Sequence, residues 1–329
     1  GEIAGLPAPG RLGPVVSGKL DVNSPAARSY VSYLQSRQDA FVNDLSVTYR
    51  HSFEVMARMQ HALNAVILRL TSAEAAAIAL RGDVEIVERE HQLQLDTDRG
   101  PTYIGAPAIW NGLTPNSAAS RGEGVIVGIV DTGINWESPA YAAVGPIDGY
   151  VHQNPLGAGN YLGLCQTGFA DVGRCNDKLI GIYNFASTLP TRSGVDTQGH
   201  GSHTSSTAAG NRWNATYASG SFTVSGVAPH ANVIAYLACP STCPSTATSQ
   251  SVNQAVIDGV DVLNYSISGG TSPWTDATST AFRNANAAGM FVATSAGNTS
   301  ATVPDPQGQV NHMEPWVQTV AASTQDRII

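Results

Sequence analysis

Apolar runs long enough to cross a membrane are missing from this 329-residue chain; the longest are strand-sized, well short of the ~18 residues a helical span needs. Charge is scarce too, with only 13% of residues Asp, Glu, Lys or Arg. The 17 Lys and Arg against 25 Asp and Glu leave a formal net charge of -8. No basic run occurs, which excludes the electrostatic footprint of a nucleic-acid or anionic-membrane binder. Zinc-type spacing is lacking as well, since the four cysteines form no CxxC and no Cys/His pattern. The opening GEIAGLPAPG has no basic n-region and no apolar h-region, so no signal peptide is read there. With no initiator Met either, the natural N-terminus is expected upstream.

What remains is rich in Gly, Ala, Ser, Thr and Asn, a composition commoner in exported than in cytosolic proteins, and secretion is the expectation. Cys165 with Cys175 and Cys239 with Cys243 are sequence-local pairs in Gly/Pro/Ser/Thr-rich loops. Two loop-stapling disulfides fit an oxidising compartment; free thiols stay open, because connectivity cannot be read from sequence. The length suits one large α/β domain with a small companion.

Residues 1 to about 20 are punctuated by Gly and Pro and read as loop. Ser24-Pro25 is an N-cap followed by Pro at the first helical position, and Tyr30, Leu34, Phe41 and Leu45 follow at near-helical spacing, predicting a helix of about five turns. Strands are predicted over Val47–Phe53 and His61–Leu70, then a capping box at Thr71 and Glu74 opens a short helix to Arg81, and Val84–Glu90 reads as a final strand. That order is a ferredoxin-like βαββαβ unit without its first strand. A polar linker over 91 to about 120, with a short amphipathic piece at Ala106–Trp110, divides the chain into residues 1–95 and 96–329. Beyond it, strands at Val125–Val130, Leu179–Phe185, Asn232–Leu237, Val260–Ser266, Met290–Thr294 and Trp316–Ala321 alternate with helices at His200–Ala209, Ser251–Gly259 and Thr275–Ala288. Such alternation implies a parallel sheet covered on both faces, with ligands at the carboxyl ends of its strands.

Candidate chemistry gathers at those ends. Gly124–Gly133 (GVIVGIVDTG) is an apolar run closing on Asp131, whose carboxylate is costly to bury unless hydrogen-bonded. Gly199–Thr204 (GHGSHT) puts His200 between glycines at a helix start, and Thr294–Asn298 (TSAGN) ends another strand in an amide. An acid can fix the tautomer of a histidine and stabilise its imidazolium, the histidine can serve as general base, and the amide can donate to an oxyanion. That is most of a serine-hydrolase site. Each motif also has a plainer reading, as a strand-end turn Asp, a helix-start His bonded to backbone, and a turn Asn bracing the loop into Thr299 and Ser300. DTG is also the aspartic-protease signature, which would require a homodimer here because no second DTG or DSG exists. His203 could join His200 and Asp131 around a metal, but zinc spacing and a general-base Glu are absent; His203 is read as a buried structural histidine, and no metal ligand is assigned.

With DTG at Asp131–Gly133, HGSH at His200–His203 and SAGN at Ser295–Asn298, in that order, the sequence resembles the subtilisin-like serine proteases, or subtilases. The resemblance covers about residues 100–329, and residues 20–95 are similar to the family's inhibitory propeptide. It implies a subtilisin-like parallel sheet with helices on both faces, preceded by a ferredoxin-like α+β propeptide domain. It also implies hydrolysis of peptide bonds in polypeptide substrates, with the chain's own propeptide as intramolecular inhibitor. Asp131 would then orient, His200 act as general base and then general acid, and Asn298 donate to the oxyanion. Asn264–Gly270 (NYSISGG) is similar to the substrate-binding segment, so that Ser266, Ile267, Ser268 and Gly269 form one wall of the pocket and Ser295, Ala296 and Gly297 the other. Small uncharged walls imply broad, mainly apolar specificity, although the additional Ser268 departs from the usual Ser-Leu-Gly-Gly. Structural calcium is common in the family; no acidic loop here is diagnostic of it.

The family's Gly-Thr-Ser-(Met/Ala)-Ala nucleophile motif is missing. Gly270-Thr271-Ser272 imitates it, but Pro273 and Trp274 follow where small residues should open a helix, and it precedes Asn298 instead of following it, so Ser272 reads as a loop serine. The expectation is a serine endopeptidase precursor continuing beyond both ends; the alternative is a catalytically dead subtilase-like binding protein.

Overall fold

The computed structural model describes residues 15–16, 19–89, 92–95, 101, 104–115, 118–187, 192–217, 220–270, 272–299 and 310–322. Two short strands, β1 (Val15–Val16) and β2 (Lys19–Leu20), pair antiparallel ahead of α1 (Pro25–Tyr49). Ser24 accepts from the Ala27 amide and Pro25 supplies the first helical residue, as the sequence predicts. The helix runs through Val47, where a strand was expected, and ends only at Arg50, whose φ of 59° is left-handed. β3 (Val55–Met59) therefore starts later and pairs antiparallel with β4 (Ala65–Leu68), shorter than the predicted His61–Leu70. The Thr71–Glu74 capping box opens α2 (Ser72–Ala79). No strand forms over residues 84–89: a strand needs a neighbour for its ladder, and among the described residues the β3–β4 hairpin has no third member. Leu45, Phe53 and Ile78, with half-buried Phe41, Tyr49, Leu68 and Leu70, give this unit its own core.

Next come β5 (Gln92–Leu95) and α3 (Ala106–Trp110). A seven-stranded, wholly parallel sheet follows, built from β6 (Ile126–Asp131), β7 (Leu162–Gly163), β8 (Leu179–Asn184), β11 (Asn232–Leu237), β13 (Val262–Tyr265), β15 (Phe291–Ser295) and β16 (Gln318–Val320). Their order across the sheet is β16-β15-β13-β6-β11-β8-β7. An antiparallel hairpin, β9 (Trp213–Tyr217) with β10 (Gly220–Val224), which the sequence reading missed, lies outside it.

Both faces of the sheet are buried at its central strands β6, β8 and β11, which is why these read as apolar runs instead of alternating. Ile126, Val130, Ile180, Ile234 and Tyr236 pack with residues of α5 (Ser245–Ile257) and α6 (Ala277–Ala287). Val127, Ile129, Leu179, Ile182, Val233 and Ala235 form the other core, with Ala209 of α4 (His200–Ala209). The expected α/β architecture is thus present. α5 begins six residues before the predicted Ser251, because Ser245, Thr248, Ser249 and Ser251 are buried small polar residues and not loop. Thr248 and Ser251 donate their hydroxyls to carbonyls one turn back, so burying them costs little.

The hairpin turn of the first unit docks on these helices. The amides of His61 and Ala62 both donate to Asn253 Oδ1 at 3.0 and 3.1 Å, Asn284 Nδ2 donates to the Ala62 carbonyl, and Glu88 accepts from the Ala277 amide at the start of α6. Both cysteine pairs are bonded as expected, Cys165 to Cys175 and Cys239 to Cys243. No helix among the described residues is long and apolar enough to cross a membrane.

Candidate active site

All six residues of β6 are buried, and the strand delivers Asp131 to its carboxyl end at 1% exposure. The lost hydration is replaced by three donors: Oδ1 accepts from the Thr132 amide and from His200 Nδ1, each at 2.7 Å, and Oδ2 accepts from Thr204 Oγ1 at 3.0 Å. The Asp131 carbonyl is held as well, by the Ala238 and Cys239 amides at the end of β11. Asp131 is therefore fixed at both ends of the residue.

His200 is the first residue of α4, and the helix rests directly on the DTG turn. A Cβ on Gly201 would come within 2.4 Å of the Gly133 carbonyl oxygen, so only glycine lets the two segments approach this closely. Asp196, outside the three sequence motifs, secures the helix start. Its Oδ1 accepts from the Gln198 and Gly199 amides and from Thr132 Oγ1; its Oδ2 accepts from the amide and hydroxyl of Ser202. Burial alone would raise this carboxyl, but the Ser202 hydroxyl and the surrounding amides outweigh it and hold Asp196 below the usual carboxylate range. An Asp just ahead of a predicted helix is a capping signal, and Asp196 could have been found that way. With a carboxylate as its partner, His200 Nδ1 carries the proton, so the lone pair of the neutral ring is on Nε2.

β13 joins β6 to β15 in register, Tyr265 lying opposite both Val130 and Thr294. Asp131 and Ser295 thus stand at one level of the sheet, and Asn298 lies three residues past the end of β15, in the loop at the same edge. His203 is exposed, which corrects its reading as a buried residue: the buried side of α4 is Gly201, Thr204, Ser205 and Ala209. Among the described residues, no three His, Cys, Asp or Glu side chains gather as a metal site.

The candidate substrate segment is β14 (Ile267–Ser268), and it already has a partner. β5 is added antiparallel between β12 (Cys243–Pro244) and β14, with Leu95 opposite Ile267, Gln94 opposite Ser268, and Leu93 opposite Cys243. Within residues 91 to about 120, read from sequence as a polar linker, Gln92–Leu95 form a strand, and the Gln-Leu-Gln-Leu alternation carries its signal. Ile267 is fully buried in the core, so it offers a ligand only its backbone. Ser266 Oγ accepts from Asn264 Nδ2. Ser272 sits in the turn before α6, its carbonyl accepting from the Thr275 and Asp276 amides.

Residues 122–326, more than half of the chain, match the subtilase family. Among curated relatives, the chain is 30% identical to the subtilisin-like protease SBT2.4 of Arabidopsis thaliana over 93% of its length and 38% of the relative's. It is 35% identical to SBT1.6 of the same plant, over 81% of the chain and 35% of the relative. The chain thus spans well under half the length of these relatives. Among solved structures, fervidolysin from Fervidobacterium pennivorans, a keratinolytic enzyme related to subtilisin, superposes with a TM-score of 0.46 at 16% identity, over 81% of this chain and 39% of that one.

Proposed function

The chain belongs to the subtilase family, and from that premise we propose that it is the acid, base and oxyanion portion of a secreted serine endopeptidase, preceded by its own inhibitory segment. The observation that carries the reading is the 2.7 Å bond from His200 Nδ1 to buried Asp131. In this role Asp131 holds the imidazole in one tautomer and stabilises the imidazolium. His200 Nε2 takes the proton of an attacking serine hydroxyl and returns it to the leaving amine. The Asn298 amide donates to the oxyanion that forms in between. The serine is not supplied by Ser272, and a polypeptide of these 329 residues alone is expected to cleave no peptide bond.

An aspartic-protease reading fits poorly, because both carboxylate oxygens of Asp131 are engaged by Thr132, His200 and Thr204 and neither is set to share a proton with a second carboxyl. Secretion is supported by the two disulfides.

The division at about residue 95 is supported by β5. An extended peptide binds a sheet edge by main-chain bonds, with pockets selecting side chains, and β5 occupies the β12–β14 slot in that manner. Residues 1–95 are the inhibitor and residues 96–329 the first part of the catalytic domain. The N-terminal unit, with whatever precedes it in the precursor, should inhibit the mature enzyme when added in trans at micromolar concentration or below. Undiminished hydrolysis at that concentration would count against the assignment.

A further inference from the structure

One dipeptide that no sequence motif marked connects the two candidate pocket walls. Asn311 Oδ1 accepts from the Gly269 amide at 2.5 Å, on the wall formed by β14 and the residues after it. The same residue's backbone amide donates to the Ala296 carbonyl at 2.9 Å, and its Nδ2 approaches that oxygen at 3.4 Å, on the wall that follows β15. His312 continues the link: its amide donates to the Gly270 carbonyl at 3.1 Å, and its Nε2 donates to the Ile267 carbonyl at 3.1 Å.

Several features fit these two residues to one position. His312 is fully buried with a left-handed φ of 50°, a conformation that costs a non-glycine residue energy and persists only when its surroundings hold it. Its ring packs edge-on against Tyr265 and Phe282, and Nδ1 lies 3.5 Å from the buried carboxylate of Glu314. The glycines on each wall make room. A Cβ on Gly270 would stand 2.6 Å from His312 Nδ1, and a Cβ on Gly297 would stand 2.4 Å from Asn311 Nδ2.

Resting on the peptidase reading above, we infer that Asn311 and His312 form a clip that sets the spacing of the two pocket walls and thereby the selectivity for the residue before the scissile bond. Both are positioning residues. Asn311 ties Gly269 to Ala296 across the gap, and His312 fixes the carbonyl of Ile267, whose strand must present its backbone edge to an extended peptide. Loss of the clip loosens the spacing of the two walls, and a looser slot discriminates less between side chains of different size.

Two measurements on one variant test the clip. In the 329-residue chain, Asn311→Ala should speed hydrogen exchange at the Gly269 amide while β6 amides stay protected. Asn311→Asp, which keeps an acceptor at Oδ1, should restore that protection. In the full-length enzyme, Asn311→Ala should raise KM about tenfold with kcat changed by less than about threefold, and flatten the preference among Ala, Leu and Phe before the scissile bond. If the alanine variant does not fold, Asn311→Ser carries the same readings, and His312→Asn, at home in left-handed backbone, carries the selectivity reading alone. Unchanged Gly269 exchange overturns the proposal, as does faster exchange with unchanged selectivity. A wild-type full-length protein without peptidase activity would instead overturn the functional reading, and the clip's role with it.

Discussion

His200→Ala in the full-length enzyme should lower kcat by roughly 10⁴- to 10⁶-fold, the range for removing the base of a serine triad. A serine hydroxyl is a poor nucleophile until a base takes its proton, and His200 is the only imidazole bonded to Asp131 among the described residues. The loss should appear in kcat and kcat/KM alike, because proton transfer occurs in the transition state while peptide binding is assigned to β14 and its neighbours in the proposed function. Folding should survive the substitution: Asp131 keeps the Thr132 amide and the Thr204 hydroxyl, so the buried carboxylate is not left without donors. Steady-state kinetics alongside thermal unfolding separate the two effects. Residual activity within tenfold of wild type would remove His200 from the base role.

Asn298→Ala should cost about 10²- to 10³-fold in kcat with KM little changed, the size seen for the oxyanion amide of subtilisin. The reason is differential binding: the carbonyl oxygen gains charge only on the way to the tetrahedral intermediate, so an amide aimed at that charge contributes little to ground-state affinity. An equal rise in KM at constant kcat would place Asn298 in substrate binding instead. The amide is expected to act from the loop after β15, whose end stands level with Asp131 across β13.

How legible this was in sequence varied with the kind of signal. β6 was plain because six consecutive buried positions leave an apolar run with a carboxylate at its end, and α4 was plain because glycines bracket its first histidine. The elements misread were those where tertiary packing overrode local chemistry. α5 starts among serines and threonines because their hydroxyls bond back to the helix, which no hydrophobic pattern reveals. α1 continues through the β-prone Val47 until Arg50 takes a left-handed conformation. β5 pairs with strands about 150 to 175 residues further along, and only its alternation hinted at the partner. The Asn311–His312 clip left no motif, since its content is a distance between two walls that the chain brings together only when folded.

Reaction of the mature, full-length protein with a fluorophosphonate tests the central claim most directly, that His200 activates a serine hydroxyl. One labelled serine is expected, located by peptide mass spectrometry, outside Ser272 and dependent on His200, with labelling suppressed when the N-terminal unit is added back. Labelling that persists unchanged in His200→Ala, or peptidase activity insensitive to the reagent and blocked by a transition-state carbinol peptide, would contradict it.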